Sequence, residues 1–148
     1  MRWYVSQMVG RDPETTLKAG IEILDPVLNP LGFRFVYAGT GKGSGGRFAF
    51  GRYVRGDRSI EIHFRYSLGL VTYHIGGSSL DHESYMRSSG VYGKNSYPDF
   101  PTDPVESFLS LAQDLLHYCS DFLTGDGAQF RRYAAEIKST PKMFSGLP

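Results

Sequence analysis

The chain has 148 residues, of which 41% are apolar and 21% are charged, and its formal net charge is +1. This size and composition predict one globular domain whose core needs neither disulfides nor a metal. A charge so close to zero gives no reason to expect a polyelectrolyte partner. The one cysteine, Cys119, excludes an intrachain disulfide. Its place in an apolar helical pattern predicts a small buried side chain in a reducing compartment.

We predict a single domain over residues 1–148, with an N-terminal extension at 1–11 and a C-terminal tail at 141–148. The N-terminal apolar stretch is too short for a signal peptide, and no apolar run reaches the length of a membrane-spanning helix. We therefore expect a cytoplasmic protein, of bacterial origin, with no membrane partner and no cofactor.

The first predicted helix begins at the Asp-Pro-Glu sequence of residues 12–14, where a capping side chain precedes proline and an acid. Pro26 is expected to kink or end this helix, and the Asn-Pro-Leu-Gly sequence of 29–32 to stop it. Alternating residues at 33–37 predict a strand. The glycine-rich segment 39–46 predicts a flexible connector, because it lacks the Lys-Ser/Thr pair and the following helix of a P-loop.

Residues 47–75 predict a three-stranded meander with two-residue turns at Gly56-Asp57 and Leu68-Gly69. The strands are expected at 47–55, 58–67 and 70–75. Both turns place one apolar set of the middle strand on the same face, and this agreement favours the register. That inward set is Ile60, Ile62, Phe64 and Tyr66.

The opposite face of the meander carries aromatic, basic and imidazole side chains. Its predicted cross-strand pairs join Arg52 to Glu61, Phe50 to His63, Phe48 to Arg65 and His63 to His74. We expect this exposed face to bind a ligand or partner. The candidate residues are Phe48, Phe50, Arg52, Glu61, His63, Arg65 and His74.

The second half of the chain predicts helices. A short one is expected at 80–88 with Ser78 or Ser79 as its cap, a long one from Asp103 to Gly125, and a last one from Asp126 to Lys138. The order α-β-β-β-β-α-α-α predicts an α+β two-layer sandwich, with a four-stranded antiparallel meander covered on one face by helices.

The aromatic-rich loop at 90–102 is long for a small domain, and such loops are often functional. Tyr92 and Tyr97 are therefore further binding candidates. The loop could equally pack its tyrosines over a sheet edge.

Charge is distributed unevenly along the chain. Residues 31–67 hold seven Lys/Arg against two Asp/Glu, whereas residues 68–124 hold two against seven. This pattern fits complementary layers with a solvated surface, or a sheet that faces an anion.

Two imidazoles and a carboxylate, from His63, His74 and Glu61, could ligate a divalent metal and support a metal-dependent enzyme. No His-Glu-x-x-His or paired Cys-x-x-Cys pattern accompanies them, and the nearby Arg52 and Arg65 disfavour a cation. No Gly-x-Ser-x-Gly elbow supports a hydrolase. We therefore favour a protein without catalysis, and Glu61 is expected to pair with Arg52.

Residues 46–53 read Gly-Arg-Phe-Ala-Phe-Gly-Arg-Tyr, which resembles the inner-strand motif of the RNA recognition motif family. That family alternates helices between its strands, so the resemblance implies no shared fold here. It implies that Phe48 and Phe50 could stack on bases of single-stranded nucleic acid, while Arg47, Arg52 or Arg65 meet phosphates.

The opening layout is a leucine-striped helix followed by Leu-Gly-Phe-Arg-Phe at 31–35 and a meander. It resembles the small bacterial domains found in polymorphic-toxin immunity loci. That resemblance implies a stoichiometric binding protein whose partner is another protein. Protein binding through the exposed sheet face and the 90–102 loop is therefore our leading hypothesis.

Overall fold

The computed structural model describes residues 12–43 and 46–139. The predicted extension at 1–11 and tail at 141–148 lie outside the described residues. The helices are α1 (Pro13–Leu28), α2 (His82–Ser88), α3 (Ser107–Tyr118), α4 (Ser120–Leu123) and α5 (Ala128–Ser139), with 3-10 turns at Asn29–Leu31 and Pro104–Glu106. The strands are β1 (Arg34–Gly43), β2 (Gly46–Arg55), β3 (Arg58–Phe64), β4 (Leu68–Ile75) and β5 (Ser78–Asp81).

The strands form one antiparallel sheet in the order β1-β2-β3-β4-β5. The α+β class with an antiparallel meander is confirmed, but the prediction of four strands was wrong. Gly76, with a positive φ of 55°, reverses the chain and pairs β5 with the end of β4. Ser78 and Ser79 are therefore strand residues, and Asp81 caps α2 by accepting a hydrogen bond from the Ser84 amide.

The glycine-rich segment is also a strand over much of its length, which corrects the expected connector. Gly39 lies opposite Phe50 and Gly41 lies opposite Phe48 in the β1–β2 ladder. A Cβ on Gly41 would stand 2.6 Å from Phe48 Cζ, so the Phe48 ring occupies the space that a side chain would need. Cross-strand aromatic rings stabilise strand glycines in this way.

The predicted register is confirmed between β2 and β3 and was wrong between β3 and β4. The second turn lies at 65–67, so Ile62 pairs with Val71 and not with Ile75. This shift is an even number of residues, so the inward and outward faces are preserved. Tyr66 leaves the core and is 70% exposed, whereas Leu68, expected in the turn, is buried in β4.

The helices pack against one face of the sheet over a continuous apolar core. The Asp12 side chain caps α1 as predicted, but the helix continues through Pro26 to Leu28. Gly20 lets the buried Phe108 ring of α3 lie directly against α1. The predicted long helix is interrupted at Cys119, which is buried as expected and separates α3 from α4.

Two arginines of the β2–β3 hairpin join the sheet to the helices. Arg55 donates hydrogen bonds to the carbonyls of Leu31 (2.8 Å) and Leu123 (2.7 Å). Arg58 donates to the Phe122 carbonyl at 2.7 Å. Their guanidinium groups satisfy carbonyls at the end of α4, where a positive charge is favourable. Arg55 and Arg58, two of the basic residues predicted for the sheet, thus bind carbonyls inside the fold.

None of the helices in the described ranges is both long and apolar enough to cross a lipid bilayer.

Candidate binding face

The face of the sheet opposite the helices, which we call the open face, is not buried by any element within residues 12–43 and 46–139. Strand alternation directs every second side chain to this side. Val36 and Leu70 are 51% and 64% exposed there, and sequence reasoning had not singled them out. Other outward side chains of β2, β3 and β4 include Phe48, Phe50, Arg52, Glu61, His63, Thr72 and His74.

Three rings form an aromatic cluster at the centre of the open face: Phe48, Phe50 and His63. Phe50 and His63 are cross-strand partners as predicted, and their rings stack with centroids 5.4 Å apart and planes within 6°. Phe48 lies 5.6 Å from Phe50 and 6.1 Å from His63. All three are half-buried, which leaves part of their apolar surface accessible.

Phe48 contacts both Arg65 and strand β1. The guanidinium of Arg65 stands over the ring, 5.5 Å from its centroid, and the Cζ end of the ring lies against Gly41. The expected association of Phe48 with Arg65 therefore holds through a cation–π contact, although β3 ends before Arg65. The stacked pair of Phe50 and His63 likewise covers one surface of each ring.

Glu61 joins the two histidines of the open face. Its carboxylate accepts a hydrogen bond from His74 Nε2 at 2.9 Å and another from His63 Nε2 at 3.2 Å. The imidazoles are on the same face as predicted, but they are not cross-strand neighbours, because His74 pairs with Ser59. The hydrogen bond from His74, followed by that from His63, lowers the pKa of Glu61, while partial burial opposes this shift.

The expected pairing of Glu61 with Arg52 does not form, although the two residues face each other across β2 and β3. As a result Arg52 and Arg65 have no ion-pair partner among the residues that the structure describes. Arg47 alternates to the helix side of the sheet, where its charge helps to lower the pKa of Asp12. Two of the three arginines considered for anion binding therefore remain on the open face.

An open depression of about 370 Å³ lies beside the aromatic cluster at the β3–β4 turn. The residues that line the depression are Phe48, His63, Phe64, Arg65, Tyr66, Ser67 and Gly69. The Nε atom of Arg65 is buried and has no hydrogen-bond partner among the described residues.

The 90–102 loop separates its two candidate tyrosines. Tyr92 is 51% exposed, and the Arg87 guanidinium lies 3.8 Å from its ring centroid. Tyr97 is buried and donates a hydrogen bond to the Leu68 carbonyl at 2.7 Å, so it fixes the loop over the β4 edge and offers little surface to a partner. Phe100, which the sequence did not single out, is 91% exposed.

A second histidine cluster, which sequence reasoning missed, is sealed under the helices. His82 contacts the Tyr73 hydroxyl through Nδ1 at 2.7 Å and Asp114 through Nε2 at 2.8 Å. Asp114 also accepts hydrogen bonds from the amides of Ser96 (2.6 Å) and Tyr97 (2.9 Å). The only signal for this cluster was an acid among the apolar positions of the predicted α3 helix.

This buried cluster is a structural network. Asp114 is 0% exposed and His82 is 3% exposed, and both ring nitrogens of His82 are engaged. Burial raises the pKa of the neighbouring Cys119 thiol to about 12, so the thiolate needed for nucleophilic chemistry is strongly disfavoured. The side chains of Tyr73, His82, Asp114 and Cys119 are all at most 3% exposed.

The proposed metal ligands do not form a recognisable site. Each histidine directs its Nε2 at Glu61 and not at a shared point. Across the described part of the chain, no group of three or more His, Cys, Asp or Glu side chains is arranged to hold a metal ion.

Comparisons with known proteins found no protein-family model, no curated protein and no solved structure that matches this chain. The two resemblances noted in the sequence therefore stay predictions, and the function has to be argued from the open face itself.

Proposed function

We propose that this protein is a non-enzymatic binding domain that recognises another protein through its open face. The observation that carries the proposal is the aromatic cluster of Phe48, Phe50 and His63 on the open face. Beside it lie two arginines that have no ion-pair partner in the part of the chain that the structure describes. Rigid aromatic side chains and arginines are the residues that most often dominate protein interfaces.

The cluster is well suited to an interface because it is already ordered. Phe48 contacts Gly41 and Arg65, and Phe50 stacks on His63. Binding therefore requires little additional loss of side-chain entropy, which is a major cost of association. The exposed Val36 and Leu70 extend the apolar surface on either side of the cluster.

Single-stranded nucleic acid is the second candidate, because aromatic and basic residues share the open face. Base stacking needs an accessible ring surface. Phe48 has the Arg65 guanidinium over its ring, and Phe50 stacks on His63. Glu61 also adds a negative charge to the same face. This geometry favours a protein partner over a nucleic acid.

The third candidate, a metal-dependent enzyme using His63 and His74, has less support. Both imidazoles donate to Glu61, and a metal would have to displace these hydrogen bonds. Unchanged thermal melting on addition of zinc chloride is the expected result, and a rise in melting temperature that His63→Ala abolishes would favour the metal hypothesis.

The proposal can be tested by selecting binders from a random 16-residue peptide display library on the intact protein. Selected peptides are then measured against Phe48→Ala, Phe50→Ala and Arg52→Ala. We expect each phenylalanine variant to weaken binding by about tenfold or more, as for an interface hot spot. Arg52 is exposed, so its substitution tests the same face without risk to the core.

Leu109→Ala and Leu116→Ala are matched controls, because these leucines are 52% and 62% exposed on α3 in the opposite layer. Peptides whose affinity depends on the α3 leucines and not on the open-face residues would place the binding surface elsewhere. Retention of single-stranded RNA on a filter at low salt, lost in Phe50→Ala, would instead support the nucleic-acid candidate.

A further inference from the structure

We infer that the depression at the β3–β4 turn receives a carboxylate from an acidic side chain of the partner protein, with Arg65 as its hydrogen-bond donor. This inference rests on the proposed function, and it names the chemistry of the partner at one point of the open face. The expected partner residue is an Asp or Glu flanked by apolar side chains.

The first observation is a donor without an acceptor. Arg65 Nε is shielded by the protein and makes no hydrogen bond within the described ranges. A buried N–H without a partner costs about 1–3 kcal/mol, so the guanidinium is not fully satisfied by the fold. Because Nε itself is shielded, an acceptor in the depression of about 370 Å³ that Arg65 lines would meet the terminal nitrogens of the same guanidinium.

The second observation is the way Glu61 is engaged. Its two oxygens accept hydrogen bonds from His74 and His63, so it forms no ion pair with either arginine of the open face. The positive charges of Arg52 and Arg65 are therefore available to a partner. A carboxylate matches the planar guanidinium in both charge and shape.

The third observation is the apolar wall of the depression. Phe48, with the guanidinium above its ring, and the largely buried Phe64 line it. Such a wall suits the methylene groups of an acidic side chain and its apolar neighbours. A nucleic-acid phosphate would bring a hydrophilic sugar to the same wall, and Arg65 and the Phe50–His63 stack already take part of the ring surface that its bases would need.

The test is a double-mutant cycle between the protein and a selected peptide that contains one Asp or Glu. Arg65→Gln is combined with the Glu→Gln or Asp→Asn version of the peptide. We expect Arg65→Gln to weaken the acidic peptide by about tenfold or more, as for a lost charge-assisted bond. The amide peptide is expected to bind both proteins nearly equally.

Arg132→Gln is the matched control, since Arg132 also lies over an aromatic ring, that of Tyr133, but belongs to α5. A direct readout is the Nε–Hε resonance of Arg65 in ¹⁵N-edited spectra, which should shift on titration with the acidic peptide. An eight-nucleotide oligo-dT serves as a phosphate probe, and it is expected to leave this resonance in place.

The outcomes separate the inference from the proposed function. One outcome is that selected peptides need Phe48 and Phe50 for binding but contain no acidic residue, or show no coupling to Arg65. That result would overturn the carboxylate site and leave the protein-binding proposal intact. Peptides whose affinity is unchanged by both phenylalanine substitutions would overturn the carboxylate site and the protein-binding proposal together. An Arg65 resonance that shifts with oligo-dT and not with the acidic peptide would reassign the depression to phosphate.

Discussion

The protein contains two clusters of a carboxylate and histidine on opposite sides of one sheet, and they differ mainly in burial. Under the helices, His82 and Asp114 are 3% and 0% exposed at their side chains. On the open face, His63, His74 and Glu61 are 37%, 34% and 41% exposed. The residue types are similar, but the surroundings assign them different physical roles.

The two clusters also differ in what their carboxylates leave unpaired around them. Asp114 accepts from His82 and from two backbone amides, so it holds the 90–102 loop against α3 in a fully paired network. Glu61 is also paired, but its engagement leaves Arg52 and Arg65 without a carboxylate among the described residues. The buried cluster thus supports the fold, and the open cluster sets the charge that the proposed partner would meet.

The largest effect is expected from Asp114→Ala. This change leaves the His82 ring and the amides of Ser96 and Tyr97 without an acceptor in the core. Breaking a buried pair from one side costs about 3–5 kcal/mol. Guanidinium-induced unfolding measures the loss, and Gln113→Ala, an exposed neighbour on α3, is the control. A loss no larger than that of the control would contradict the scaffold role.

A smaller effect is expected from glycines that lie against aromatic rings in the two layers. An added methyl on Gly20 collides with Phe108, which is fully buried, and overpacking typically costs about 1–3 kcal/mol. This cost opposes and exceeds the helix-propensity gain of about 1 kcal/mol from alanine. We therefore expect Gly20→Ala to lower the free energy of unfolding.

The matching change on the open face is Gly41→Ala, whose new methyl meets the half-buried Phe48 ring. Because this ring can move into solvent, we expect a stability loss below about 1 kcal/mol together with weaker peptide binding. Gly77→Ala, which meets no atom within 4 Å, controls for backbone effects. Equal stability losses for Gly20→Ala and Gly41→Ala would mean that the open face is packed as tightly as the core.

The smallest effect is expected from Glu61→Gln. The folded-state pKa of Glu61 lies below its ordinary value of 4.5, so its stabilising contribution is present above pH 4.5 and is lost as the pH falls below that value. Because the side chain is 41% exposed, solvent screening limits this contribution to about 1 kcal/mol or less. Unfolding midpoints at several pH values would reveal it.

In Glu61→Gln the decline in stability below pH 4.5 should be shallower than in the parent protein. Glu22→Gln removes the same charge from an exposed position on α1 and serves as the control. An identical pH profile for all three proteins would show that the two histidines do not stabilise the Glu61 carboxylate.

Local signals predicted those parts of the fold that depend on a short stretch of chain. The Gly56-Asp57 turn fixed the β2–β3 register, and the Asp12 cap fixed the start of α1. The Leu68-Gly69 turn was wrong because the chain turns at 65–67, a three-residue loop without a glycine. The open face was still assigned correctly, since the register error was an even number of residues.

Features that depend on contacts between distant segments were not predictable from local patterns. The glycines of β1 form a strand because Phe48 and Phe50 of β2 lie across from them. Asp114 belongs to an apolar helix because His82 and the loop at 96–97 need an acceptor there. In both cases a contacting segment that is distant in the sequence, and not the local sequence, determines the structure.

The most direct test of binding at the open face is to map where a selected peptide contacts the protein, using aromatic and arginine side-chain resonances with and without the peptide. We expect changes at Phe48, Phe50, His63 and Arg65, with Tyr73 and Phe122 of the core unaffected. Changes confined to α3 and α5, with the open-face resonances unmoved, would contradict it.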